Sequence, residues 1–342
     1  MSNGKDVEYP AMPKVIIKEG FSVSGNILPD LSYYRDEKGS EFRYTEYARN
    51  DNLLTVVDAN GDVVTNFCGK LNDNGTYAIV KADKPALAEG DFQANLTLYT
   101  NFNLNFYSND DVVRALYLYG IELDKQQVGT KEAYVVEVPV DAAAENMMFG
   151  VAIANGEDTY LYRLDYSVLT YAKQIIGSNY SEASKQLITA AMEYVKAAYA
   201  YANKGAVDFT GVTTPAAENN ATAVETLGDA ISGAQLDLST GFKLRFNLNP
   251  EYDGALTVGD TSVEVVKGKI GEINYVEVDL RAYELAGDVV IVDAKGTYTY
   301  SVANYAKSDV VNANAQLKAL ADALYTYATY AASYKASNPN LD

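Results

Sequence analysis

Histidine and tryptophan are both absent from this 342-residue chain, and cysteine occurs once, at Cys68. Without histidine the commonest general base and metal ligand is gone, and with it every Ser-His or Cys-His nucleophile. A lone cysteine closes no internal disulfide and has no thiol partner for a metal, so Cys68 reads as a small buried hydrophobe. Basic residues are scarce too: 27 Lys plus Arg stand against 46 Asp plus Glu, a formal net charge of -19. That field repels phosphate backbones and anionic membranes, so nucleic acid is not an expected partner. No apolar run reaches the roughly 20 residues that span a bilayer. The Met-Ser-Asn-Gly-Lys start has no apolar core of a signal peptide, and the chain is expected to be a piece of something longer. No motif calls for a cofactor.

What the chain has is a 48% hydrophobic composition, ample for packed cores, and 29 Tyr beside 10 Phe. Any aromatic surface must therefore be built of tyrosine.

The chain also repeats itself. Leu96, Leu98, Phe102, Leu104 and Phe106 are answered by Leu236, Leu238, Phe242, Leu244 and Phe246 at an offset of 140. Tyr166, Ser167, Val168 and Tyr171 are answered by Tyr300, Ser301, Val302 and Tyr305 at 134. Leu187, Ala191, Tyr194, Ala198 and Tyr201 are answered by Leu320, Leu324, Tyr327, Ala331 and Tyr334 at 133. Order and spacing are kept, as in a duplication with small loop deletions.

Within each copy the hydrophobic period changes once. Short alternating runs separated by Gly, Asn and Asp predict half-buried antiparallel strands, with Phe242, Leu244 and Phe246 facing one way and Lys243 and Arg245 the other. No helix intervenes to make crossovers, which favours a compact sandwich. The period then becomes helical. Ser167 and Ser301 are expected N-caps of a first short helix, and the 4, 3, 4, 3 spacing from Leu320 to Tyr334 marks one apolar stripe on a second.

The expected fold is α+β, with tandem antiparallel β-sandwiches each followed by a helical hairpin. Residues 1–92 form an N-terminal β segment or domain, either separate or an extension of the first sandwich. Residues 93–166 and 167–204 are the sandwich and hairpin of the first repeat, and 233–300 and 301–336 those of the second. Residues 205–232, rich in Thr, Ala and Asn, read as an extended linker that allows some flexure, with room for a helical turn over 223–231.

The LxLYxxFxLxFY-like strand pair, the TYxY…YSVxxYAK helix entry and the LxxAxxxYxxAAxxY second helix occur at residues 94–106, 159–173 and 187–201, and again at 235–246, 297–307 and 320–334. This pattern is similar to repeats of very large surface and secreted proteins of gut Firmicutes. A subset of these looks like the non-catalytic starch-adherence components of ruminococcal amylosomes. The resemblance implies a secreted or cell-surface location, an α-glucan partner and a scaffold protein reached through regions outside this chain. It transfers no binding residue. The chain itself is expected to be a monomer.

A sugar stacks its apolar C–H face on an aromatic ring and hydrogen-bonds at the rim, so it needs exposed rings. The tyrosines shared by both copies sit where hairpins pack, and are read as structural. Better candidates are the unshared ones. In Ala115-Leu116-Tyr117-Leu118-Tyr119-Gly120, leucines toward the core turn Tyr117 and Tyr119 outward, roughly 7 Å apart at two residues' rise. Arg114, Asp124 and Lys125 are candidate hydrogen-bonding neighbours. The competing reading is an aromatic pair that stiffens an exposed sheet face. A second cluster, Tyr33, Tyr34, Arg35 and Asp36 with Phe42, Tyr44 and Tyr47, mixes aromatics and charge, or else packs the N-terminal segment. Asp58-Ala59-Asn60-Gly61-Asp62 alternates oxygen ligands but lacks the distal Glu of a calcium loop, so a hairpin turn is the better reading. Asn74-Gly75 marks another turn. A glycosidase needs only two carboxylates, but nothing singles out a pair among 46 acids, and no enzyme is expected. A spacer or adhesin module without sugar binding is the alternative.

Overall fold

A computed structural model describes residues 87–98, 101–118, 121–212, 214, 216–238, 241–252, 254–259, 261–263 and 274–339, and six short strands before residue 82. It is an α+β protein whose sheets are mainly antiparallel. The chain divides into two compact units: residues 1–95, 104–136 and 146–167 make the first, and 96–103, 137–145 and 168–342 the second.

The first unit contains β1 (Lys14–Ile17), β2 (Ser22–Ser24), β3 (Tyr34–Arg35), β4 (Thr55–Val57), β5 (Phe67–Leu71) and β6 (Thr76–Lys81). It continues through β9 (Val113–Leu118), β10 (Ile121–Glu122), β11 (Lys125–Val128), β13 (Met147–Asn155) and β14 (Asp158–Tyr166). Strands β7 (Phe92–Leu98), β8 (Phe102–Ser108) and β12 (Lys131–Val138) run on from one unit into the other. One sheet has the order β10-β9-β13-β14-β5-β6-β1-β3, and another β11-β12-β8-β7. The N-terminal strands thus continue the sheet of the first repeat: β5 pairs with β14 through Gly69 opposite Leu161. Parallel pairing enters where β1 lies between β6 and β3. Antiparallel β5 and β6 flank Asn74-Gly75. The Asp58–Asp62 stretch and the burial of Cys68 lie outside the described residues.

Phe106 anchors the core of this unit, stacked on Phe92 at 5.5 Å and edge-on to Phe149 and Tyr166 at 5.0 and 5.7 Å. Alternation fails on β13, where Met148 to Ile153 are all buried. A continuous apolar run of this kind belongs to a strand covered on both faces.

The second unit holds α1 (Val168–Ile176), α2 (Glu182–Tyr201), β15 (Ile231–Asp237), β16 (Phe242–Leu248), β17 (Leu256–Val258) and β18 (Thr261–Val263). It ends with β19 (Tyr275–Leu280), β20 (Val289–Val292), β21 (Thr297–Tyr300), α3 (Val302–Tyr305), α4 (Asp309–Asn312) and α5 (Ala315–Ser337). Its sheets run β15-β16-β19 and β18-β17-β20-β21. These orders match β7-β8-β12 and β10-β9-β13-β14 strand for strand. Phe246 meets Tyr300 edge-on at 5.9 Å, as Phe106 meets Tyr166. Strand β16 alternates as its sequence predicts, with Phe242, Leu244, Phe246 and Leu248 buried.

Asn304 Oδ1 accepts from both the backbone N–H and the Oγ of Ser301, fixing the start of α3. The first limb of this hairpin is broken into α3 and α4, whereas α1 is continuous. The second helices, α2 and α5, pack on each other as well as on the first limbs of their own hairpins. Gln316, near the start of α5, bonds Ala200 O and Asn203 Oδ1 at the end of α2, so the pair is antiparallel. At its centre Tyr194 and Tyr327, both fully buried, stack at 5.9 Å and 4° over Phe242.

The stretch read as an extended linker is hydrogen-bonded to residues of α3 and α5, and no helical turn forms over 223–231. Thr326 Oγ1 accepts from Ala217 N, Asn219 donates to Ala303 O, and Asn304 donates to Thr222 O. Its end is held by Asp293, 8% exposed, whose Oδ2 accepts from Asp229 and Ala230 and whose Oδ1 accepts from Lys295 and Gly296. Gly228, at φ +86°, approaches so closely that a Cβ there would run into the Asp293 carboxylate. Burial alone would push the Asp293 carboxyl up, but the backbone donors together bring it below its ordinary value. A carboxyl depressed in the folded state adds stability above its unfolded value near 3.9, and that stability is lost as pH falls through the lower folded value. Asp293→Asn is therefore expected to cost about 1–2 kcal/mol at pH 7 and to flatten the loss of stability below about pH 4. Urea melts from pH 3 to 7 measure this; an unchanged pH profile would show that Asp293 does not clamp the segment.

Candidate functional site

Tyr117 does not face outward: it is 8% exposed. It lies opposite Gly150 of β13, on a face that also carries Ala115, Ala152 and Leu161, all buried. A Cβ at Gly150 would sit 3.0 Å from Leu161 Cδ1 and 3.5 Å from Tyr117 Cβ, so this second face is close-packed. The inference from alternation failed because β9 is an inner strand of a sheet covered on both sides. The fully apolar Met147-to-Ala154 run was the sequence signal for it. Tyr119, Tyr33, Phe42, Tyr44 and Tyr47 lie outside the described residues. So does the side chain of Tyr34, whose backbone pairs with Val15.

The proposed polar neighbours of Tyr117 have other attachments. Arg114 is exposed and donates to Asp110 O at 2.8 Å, and Lys125 pairs with the Asp110 carboxylate. The bound Lys125 ammonium holds that carboxyl below its ordinary value. Asp124 is exposed.

The other tyrosines separate by what covers them. Tyr162, Tyr166, Tyr171, Tyr194, Tyr300 and Tyr327 are buried. Among the described residues five rings carry a cation: Tyr134 under Lys125, Tyr107 under Lys131, Tyr199 under Lys204, Tyr275 under Arg245 at 4.5 Å, and Tyr283 under Arg281 and Lys335. Arg245 is itself fixed by Glu277 and Asp237, so the Tyr275 face is occupied. Two tyrosines among the described residues are largely exposed: Tyr180 at 56% and Tyr201 at 44%. Among those residues no cation lies over either ring.

Tyr201 was grouped with the packing tyrosines because Tyr334 matches it, and the structure corrects this. It is the last residue of α2. Ala202 N–H closes the helix on Ala198 O, and Asn203 follows at φ 55°, a left-handed position that asparagine tolerates. Helix α5 runs three residues past Tyr334, which leaves that ring half-buried. The Ala-Asn-Lys-Gly sequence after Tyr201 was the available sign that its helix stops there.

At this helix end the Asn203 amide donates to Tyr201 O at 3.5 Å, the Gln316 amide donates to Ala200 O at 3.5 Å, and half-buried Tyr305 lies within electrostatic reach of Tyr201. The Tyr305 phenol is raised by burial and then by the neighbouring Tyr201 phenol. Gln316 Nε2 also donates to Asn203 Oδ1 at 3.3 Å, so the two amides hold each other. Lys204 is held by Glu145 at 3.0 Å and Asp141 at 3.6 Å. An exposed ring can take the apolar face of a pyranose, and amides at the same helix end can bond its hydroxyls. Among the described residues no group of three or more His, Cys, Asp or Glu is placed to hold a metal ion. No helix there is long and apolar enough to cross a membrane. In comparisons with known proteins, no protein family, no curated protein and no solved structure matches this chain.

Proposed function

We propose that this protein binds a polysaccharide without cleaving it, with an α-glucan such as starch or maltooligosaccharide as the ligand, and that it acts as a secreted or surface-tethered module. The observation that carries the reading is the exposed Tyr201 ring at the end of α2, the helix end at which the Asn203 and Gln316 amides bond each other. Under this reading the chain is a tandem duplication of a β-sandwich followed by a helical hairpin. The matched strand orders, the matched Phe–Tyr contacts and the offsets of 140, 134 and 133 in the sequence support it. The resemblance to starch-adherence repeats supplies the choice of glucan. A second reading, a spacer or adhesin that contacts protein, is favoured by Val290 and Val292, which expose 40% and 39% of their surface on one side of β20.

Native electrophoresis in gels containing amylopectin, amylose or cellulose separates the two. Retardation in the α-glucan gels and not in cellulose is expected. Free migration in every gel would remove the binding claim and leave the spacer reading, and release of reducing sugar would remove the non-catalytic one.

A further inference from the structure

The two ends of the α2–α5 pair resemble each other. Tyr171 and Tyr305 occupy matched positions in the two repeats, as do Tyr201 and Tyr334. At one end Tyr305 lies within electrostatic reach of Tyr201, and at the other Tyr171 lies within electrostatic reach of Tyr334. A first-helix tyrosine of each repeat is thus placed toward a second-helix tyrosine of the other. The Tyr194–Tyr327 stack, itself a matched pair, stands between the two ends. Such reciprocal placement is that of a two-fold arrangement.

The second end carries an addition. Tyr180, just before the Ser181 cap of α2, is the most exposed tyrosine of the described residues and lies within electrostatic reach of Tyr171. The other repeat has no tyrosine there: the matching positions are Ala313 and Asn314. Half-buried Tyr334 lies near the end of α5, which runs antiparallel to α2, and the Asn338 amide donates to Tyr334 O at 2.9 Å.

We propose that the Tyr180–Tyr334 end is a second α-glucan contact, and that one polysaccharide chain engages both ends. The proposal rests on the glucan reading above. Helix α2 has 20 residues, so the two rings stand roughly 30 Å apart along it. A ligand of three or four sugars reaches one end only. A polymer reaches both, and the second contact then forms at high effective concentration.

Calorimetric titration with maltotetraose, alongside retardation in amylopectin gels, tests this on the whole chain. Two equivalents are expected for the wild type and one for either Tyr180→Ala or Tyr201→Ala, with amylopectin affinity falling at least about tenfold in each single variant. Unchanged melting temperatures show that the variants fold. One equivalent in the wild type, or a Tyr180→Ala variant indistinguishable from it, overturns the second site while leaving glucan binding intact. No heat and no retardation with the wild type overturns the glucan reading itself.

Discussion

Tyr194→Ala is expected to lower stability by about 3–5 kcal/mol, the cost of emptying a fully packed aromatic site. The ring is wholly buried between α2 and α5, parallel to Tyr327 and tilted against Phe242. One truncation therefore removes contacts from α2 to two other elements of the second unit, α5 and β16. Tyr194→Phe separates ring from hydroxyl. Both phenol oxygens of the stack are buried without a hydrogen-bond partner among the described residues, and burial holds both groups in the neutral form. An unpaired buried hydroxyl costs free energy that a phenyl ring does not. Tyr194→Phe should accordingly be neutral or gain up to about 1 kcal/mol. Urea denaturation gives both numbers. A loss above about 1 kcal/mol in the Phe variant would show that the hydroxyl is bonded after all, and a small loss in the Ala variant would show that the helix pair does not depend on the stack.

The second large effect is on binding. Tyr201→Ala should weaken maltotetraose binding at its own end by about 2 kcal/mol, roughly thirtyfold, as removal of a central aromatic does in other recognition surfaces. Stability should hardly change, because the ring is 44% exposed and ends its helix. Tyr201→Phe keeps the face and should retain most of the affinity. Titration calorimetry with a thermal melt on each variant checks this. Equal affinity in the wild type and the Ala variant at that end would exclude the ring as a contact.

How much of this could be read in advance differs by level. The strand pattern of β16 and the helical stripe from Leu320 to Tyr334 were legible, since each encodes one buried face in its own period. Two things were not. A stripe shows that a helix buries a face, not what covers it, so nothing in α2 said that its partner would be α5. Alternation around Tyr117 likewise shows two faces, and only neighbouring β13 decides that both are covered. The repeat marked Tyr194, Tyr327, Tyr166 and Tyr300 as structural, and they are buried. It misplaced Tyr201, because matched positions share a helix but not the distance to its end.

The most direct test of the account is carbon-13 labelling of the tyrosine rings and their NMR spectrum during titration with maltotetraose, with Tyr→Phe variants assigning the signals. The account predicts that Tyr201 and Tyr180 shift on addition of sugar while Tyr117, Tyr194 and Tyr327 stay fixed. Saturable binding with neither exposed ring responding would contradict it.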